Sequence, residues 1–545
     1  MQESRRIAGY VWLPAALAGL IGLFSLTPRV LGSPVLARSF WAAAALILAW
    51  QLVLWLGSRR RATTFGLDVG LLRHHYLQSV AQLAVLAYWG WYWRPVYDMA
   101  VLIAAQLAFA YAFSMLLSWT KGKRHVLGFG PFPIIFSINL FLWFRDDWFY
   151  LQFLMIAVGF LGKELICWKR DGRTTHVFNP SAFALGLFSL VLIATGSSDL
   201  TWGAEIASTL TLAPRIYLFL FLTGLAVMYF FSITLIAGTA AAVLFGLSAA
   251  YGAWTGVPYF IDSEIPAAVF LGLHLLVTDP STSPRSGTGK ALFGALYGVG
   301  VFGLYAVLTA AGAPTFYDKL LCVPLLNLSV RGIDSAVARL SGRAWARPVV
   351  RMLGDVASAA PGPRGAHTAA QGPARLAMHG GAQPRRLNLA HMGIWALLFT
   401  AMAATGRTDG RHTGDSLPFW QVACSEGRRN ACDRLLGIEG SYCGDNSAWA
   451  CNELGIHYSE GVVTAGDPSL ARRYFARACE LRYQPACLNL IEPESTVRAD
   501  PRPLDLRLLL REGGLNLMQT PESDLYRRAC AHAWAFACAR VASAS

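Results

Sequence analysis

Nine stretches of this chain run for roughly twenty residues with little charge, near 9 to 26, 36 to 56, 77 to 93, 97 to 118, 148 to 166, 216 to 232, 234 to 252, 291 to 311 and 388 to 404. A bilayer core of about 30 Å takes about 20 apolar residues as a helix. Such runs exclude an ordinary soluble fold and predict an all-α, polytopic transmembrane helix bundle. Composition agrees, with 55% apolar and 14% charged residues against about 25% charged in soluble domains. The net charge of +14 is carried by arginines and lysines that fall between the apolar runs and in one linker, so it speaks of topology in a lipid bilayer and not of nucleic acid. The first run follows Met1-Gln-Glu-Ser-Arg-Arg with no clean small-residue cleavage site after it, and reads as an uncleaved anchor.

Three further runs, near 132 to 143, 180 to 197 and 265 to 277, are short or open at Pro or Gly, as in Gly128-Phe-Gly-Pro-Phe-Pro133, Asn179-Pro180 and Ile265-Pro266. A helix broken at membrane depth frees backbone groups that need partners, so breaks persist beside protein, water or a ligand. Ordinary kinked helices would give the same pattern. These segments are nevertheless where a site is expected.

Basic residues set the orientation. With Arg5 and Arg6 inside, the loops holding Arg59-Arg60-Arg61, Lys121-Gly-Lys-Arg124, Lys169-Arg170, and Arg285 with Lys290 also fall inside, while Asp146, Asp147, Asp199, Glu205, Asp262 and Glu264 fall outside. A further crossing at 319 to 330 leads to the segment 331 to 386, which has nine Arg against two Asp and many Pro and Gly. It reads as a disordered cytoplasmic linker. The expected organisation is N-terminal helices over 1–72, a membrane core over 73–335, a basic linker over 336–387, an added span over 388–404 and a tail domain over 415–545. That makes about thirteen crossings, a cytoplasmic N-terminus and an extracytoplasmic tail.

The tail's cysteines fall in pairs eight apart: Cys424 and Cys432, Cys443 and Cys451, Cys479 and Cys487, Cys530 and Cys538. On one unbroken helix eight residues span about 12 Å, beyond the roughly 7 Å allowed between bridged Cα positions. If the members bridge, a turn lies between them and each pair staples two antiparallel helices. Zinc is the rival, but there is no Cys-x2-Cys and almost no partnering His. Leu470-Ala-Arg-Arg-Tyr-Phe-Ala-Arg-Ala-Cys479 and Leu525-Tyr-Arg-Arg-Ala-Cys530 resemble the cysteine-rich Sel1-like repeats of secreted bacterial proteins. That resemblance implies an α-solenoid of disulfide-stapled hairpins that binds a partner protein in an oxidising compartment.

In the membrane part, polar Pro-punctuated stretches open three helices: His176-Val-Phe-Asn-Pro-Ser-Ala-Phe183, Thr278-Asp-Pro-Ser-Thr-Ser-Pro284 running on to Gly294, and Phe316-Tyr-Asp-Lys-Leu-Leu-Cys-Val-Pro-Leu-Leu-Asn327. Helix capping alone accounts for an Asn or Asp before a proline. In combination these stretches, over roughly 75 to 335, resemble the membrane subunit family that includes the NqrB and RnfD subunits of sodium-pumping quinone reductase and the Rnf complex. The resemblance implies about ten helices in two inverted repeats including broken helices, flavin near the membrane, and electron transfer in a bacterial inner-membrane complex coupled to cation movement. The electron partner would be another protein or a quinone, since no Gly-x-Gly-x-x-Gly fingerprint supplies a nicotinamide site.

The family attaches FMN through the last Thr of a Ser-Gly-Ala-Thr type motif. The nearest counterpart is Ser208-Thr-Leu-Thr211, which lacks the Gly-Ala centre, so non-covalent FMN or riboflavin is expected over a bond to Thr211. A flavin needs an apolar slot, a few hydrogen bonds and cations for phosphate. Phe178, Phe183 and Phe293 are candidates to stack, Asn179 and Asp279 to bond ring edges, and Arg285, Lys290 and nearby Gly N–H groups to hold phosphate, with Thr278 a further cofactor-binding candidate. Cys167 and Cys322 are isolated, and the histidines give no facing pair for haem. A transporter or channel, or a membrane-anchored assembly scaffold, are the competing readings.

Overall fold

The computed structural model describes residues 11–58, 65–170, 173–260, 265–341, 385–405 and 417–491 apart from 445, with isolated positions elsewhere up to 542. The membrane part comprises α1 (Leu13–Phe24), α2 (Pro34–Ser58), β1 (Leu67–Val69), α3 (Arg73–Tyr92), α4 (Ala100–Thr120), β2 (His125–Leu127), α5 (Pro131–Asn139), α6 (Tyr150–Leu165), β3 (Cys167–Arg170), β4 (Arg173–His176), α7 (Pro180–Thr195) and α8 (Gly203–Thr209). It continues with α9 (Ile216–Phe231), α10 (Thr234–Thr255), α11 (Ala267–Leu275), α12 (Gly287–Ala310), α13 (Asp318–Ser341) and α14 (Arg385–Ala404).

Six helices among the described residues are long and apolar enough to cross a membrane: α2, α4 with the turn before it, α10, α12, α13 and α14. A seventh candidate is α8 with α9, bent by 99° at the break between them, where Arg215 takes φ +53°. The thirteen expected crossings thus become six or seven full-length spans and several shorter pieces. Proline is one reason, since a run that opens on Pro131 or Pro266 starts its helix late. The all-helical expectation also missed two ribbons. One pairs β1 with β2 in parallel, and the other pairs β3 with β4 antiparallel. The linker expectation is trimmed at both ends, because α13 runs to Ser341 and α14 begins at Arg385. Most of what lies between is outside the described residues.

Two runs of five helices follow one order. In α3–α7 and again in α9–α13, the third helix has only nine residues. The short α5 packs on α3 and α4 as the short α11 packs on α9 and α10, and α6 packs on α7 as α12 packs on α13. The runs join where α7 lies along α13. Where α10 packs on α12, Gly294 lies against the Ile236 carbonyl and leaves no room for a Cβ. Small residues at such crossings let backbones approach where lipid provides no hydrophobic drive.

The described tail consists of α15 (Leu417–Ser425), α16 (Ala431–Gly444), α17 (Ala448–Glu460), α18 (Pro468–Glu480) and α19 (Gln484–Ile491), each packed on the next. Asp467 caps α18, accepting from Ser469 N and Leu470 N, with Pro468 at the first helical position. All four cysteine pairs are bonded as their spacing suggested, and the first three close turns between successive helices with Cα positions 4.6 to 4.7 Å apart. The hairpin around Cys530 and Cys538 lies mostly outside the described residues.

Candidate functional site

Two of the broken segments, at 180–197 and 265–277, meet α13 at the end of the bundle opposite the tail. Asn179 organises them. Its Oδ1 accepts from Ser181 N at 3.1 Å and Ala182 N at 3.3 Å, capping α7 ahead of Pro180. Its Nδ2 donates to the Leu276 carbonyl at 3.0 Å, just past the end of α11. Its own N–H donates to Asn327 Oδ1 at 3.0 Å, and Asn327 Nδ2 donates to the Thr282 carbonyl at 3.1 Å. Two asparagines therefore tie α7, the segment after α11, and α13 into one knot. The freed backbone groups find their partners inside the protein, as membrane depth requires.

Charge gathers beside this knot. Asp279 lies 3.7 Å from His176 Nε2 and accepts from Ser281 N at 2.9 Å. Burial works to raise the Asp279 carboxyl, but the His176 imidazole and the Ser281 N–H outweigh it and hold it below its ordinary value. Arg170 is almost fully buried, bonding Asp334 at 2.6 Å and the Ser283 carbonyl at 3.0 Å. Arg331 lies over Trp168, its guanidinium carbon 4.6 Å from the ring centre. Around this knot Thr175 Oγ1, Ser283 Oγ and Trp168 Nε1 are buried without a hydrogen-bond partner, and His176 Nε2 has only the distant Asp279. Buried polar atoms left unsatisfied cost about 1–3 kcal/mol each, so a polar ligand or water here would gain what the protein leaves open.

The expected site residues divide. Phe178, Asn179, Phe183, Thr278 and Asp279 come together. Phe178 and Phe183 stack on each other with centroids 4.9 Å apart, and a Cβ at Gly162 would lie 2.6 Å from the Phe183 ring. Thr278 turns back on the chain, donating to the His274 carbonyl at 2.7 Å. Arg285 lies beside the knot, its N–H on Asp334 at 3.4 Å, while Lys290 donates to the Ser232 carbonyl at 2.9 Å after α9. Phe293 is fully buried in α12. Thr211 is elsewhere. Expected in a loop, it sits in a 3-10 turn, Leu210–Leu212, and donates to the Ser208 carbonyl at 2.9 Å. That turn precedes α9, whose Tyr217 bonds the Ile265 carbonyl ahead of α11. Thr278 and Asp279 follow the other end of α11, nine residues or about 13 Å further on.

Sequence reading missed a second polar cluster. Gln106, Asn139 and Gln152, from α4, α5 and α6, form a fully buried amide chain. Asn139 Nδ2 donates to Gln106 Oε1 at 2.7 Å, Gln106 Nε2 to Asn139 Oδ1 at 3.2 Å, and Gln152 Nε2 to Gln106 Oε1 at 3.4 Å. Gln82 of α3 donates to Ser137 Oγ at 2.7 Å, and its Oε1 is buried with no partner. The signal was a lone amide inside an apolar run, since such residues are costly in lipid unless they face the bundle interior. No protein-family model, curated protein or solved structure matches this chain.

Proposed function

We propose that the protein is a membrane electron-transfer component of the NqrB and RnfD type, built on two inverted five-helix repeats, that holds a flavin at the knot around Asn179. The repeat reading is supported by the shared order of α3–α7 and α9–α13. The observation that carries the site is the meeting of Asn179, Leu276, Thr282 and Asn327 beside buried polar atoms that lack partners.

The residues fit a flavin in part. Asn179 is fully engaged as cap and tie, so the ring edge would be met by His176 Nε2 and Ser283 Oγ, and the ring face by the Phe178 and Phe183 pair. Lys290, which already donates to the Ser232 carbonyl, and Arg285 are the cations that would meet the phosphate of FMN; riboflavin would need neither. The remote Thr211 makes a covalent link to this same flavin the weaker alternative. Bound flavin supplies one- and two-electron chemistry. The chain's own residues orient it and exclude water. Electrons would come from and go to a partner protein or a quinone.

The basic loops favour an N-terminus in the cytoplasm of a bacterial inner membrane, with the tail outside, where disulfides persist and a Sel1-like solenoid would bind a protein partner. Purification of the full chain, followed by a visible spectrum and extraction of any bound cofactor, tests the proposal. Close to one flavin per chain, lost in His176→Ala with Ser283→Ala, is expected. Absence of flavin together with no binding of added riboflavin or FMN would overturn it. The buried Gln82 to Gln152 cluster favours a solute pathway as the second reading, for which flux into liposomes is the measurement.

A further inference from the structure

Among the described residues, the tail meets the bundle largely through one turn and the helices on either side of it. Between Cys424 and Cys432 the chain reverses through Gly427 at φ +69° and Asn430 at φ +61°, and the disulfide closes that reversal. The same turn and the first turn of α16 supply a row of polar groups to the tail-bearing end of the bundle. Arg428 donates to the Gly256 carbonyl at 3.2 Å, and Asn430 to the Tyr251 hydroxyl at 3.0 Å. Arg434 donates to the Tyr259 carbonyl at 2.7 Å and the Tyr305 hydroxyl at 3.2 Å. Arg429 lies over the Trp254 ring, 4.5 Å from its centre. Val257 is buried in the same apolar cluster as Leu417, Trp420 and Leu435. Planar guanidiniums that bond carbonyls and cover aromatic rings hold well at a partly desolvated surface, but only while their backbone keeps them in register.

The first disulfide is also the more open of the two that staple α15, α16 and α17. Cys432 is half-buried, whereas Cys443 and Cys451 are 3% and 0% exposed. On the first pair, Cys432 is the side from which a thiolate approaches; the third pair, Cys479 and Cys487, is half-buried on both sides but lies away from the docking turn. We propose that the Cys424–Cys432 turn is a thiol-operated latch between the tail and the bundle. Closed, it presents Arg428, Arg429, Asn430 and Arg434 as one surface. A dithiol reductant opens it by two exchanges: one thiolate displaces a sulfur of the pair to give a mixed disulfide, and the second thiol releases the other sulfur. Cys424 and Cys432 end as thiols and the reductant as a disulfide, with two electrons and two protons transferred to the chain. The turn then loses its register and the tail leaves the ends of α10 and α12.

Hydrogen exchange on the full chain in detergent or nanodiscs reads the latch directly. In C424S/C432S, and in R428A/R429A/R434A with all disulfides intact, amides over residues 251–260 are expected to exchange at least about tenfold faster than in the parent chain. C443S/C451S is expected to leave that stretch as protected as before. If C424S/C432S does not fold, the parent chain is treated with limiting dithiothreitol and its open pair is identified by alkylation and mass. Unchanged protection of 251–260 after opening of Cys424–Cys432 overturns the proposal. So does unchanged protection in the arginine variant, or equal loss of protection in C443S/C451S.

Discussion

At the junction of α7, α11 and α13 the molecule is held by two neutral asparagines, whereas the tail is held by covalent staples and its docking turn by guanidiniums. The contrast follows from solvent. Where a helix breaks inside a bundle, each freed carbonyl and N–H needs a partner, and a neutral side-chain amide supplies both donor and acceptor at no cost in buried charge. The tail's helices, of eight to fourteen residues, bury too little to stand alone, so closing their turns covalently contributes what the core does not. One end of the molecule is specified by hydrogen-bond geometry, and the other by chain connectivity.

The largest expected effect tests the amide side of that contrast. Asn179→Ala removes a cap and strands the Leu276 carbonyl, which together should cost about 4 kcal/mol. Its thermal midpoint in detergent should fall well below that of Asn179→Asp, which keeps the capping acceptor and loses only the donor. Equal midpoints would mean that the tie and not the cap matters. Next comes the covalent side. C443S/C451S should destabilise the tail by about 3 kcal/mol, seen as faster proteolysis between α16 and α18, with the bundle's midpoint unmoved. A bundle that melts with the tail would erase the distinction between the two regions.

The smallest effect sharpens the picture at the end opposite the tail. Burial, helped by Lys163, pushes the His125 imidazole in β2 down from 6.5 to about 4. The folded state thus keeps it neutral while the unfolded chain takes up a proton. Its contribution is fully present above pH 6.5 and is lost as the pH falls toward 4. Between pH 6.5 and about 5 that is about 2 kcal/mol. His125→Gln should flatten the acid limb of the stability curve, and a tail-located disulfide variant should not.

Much of this arrangement was legible in the chain because its signals are local. Apolar runs mark the long helices, and Asn179 before Pro180 marks the start of α7. Cysteines eight apart imply turns that the structure contains. The breaks were legible as breaks, but not what they join, since Asn327 is 148 residues from Asn179. The two ribbons were hidden because three- and four-residue strands carry no periodicity. The Gln106, Asn139 and Gln152 chain was passed over because each amide looks like an isolated flaw until three helices bring them together. The docking turn carried no signal of its own in the sequence, because Arg428 acquires meaning only beside Gly256.

Helix α14 does more than lead the chain into the tail. Phe399 stacks on Phe221 of α9 with centroids 4.1 Å apart, Trp395 lies 5.9 Å from His274 of the short α11, and Asn388 accepts from Thr234 of α10 at 3.1 Å. The helix that leads toward the tail is thus also a wall of the bundle, resting on α9, on α10 and on the short α11 that ends at the asparagine knot.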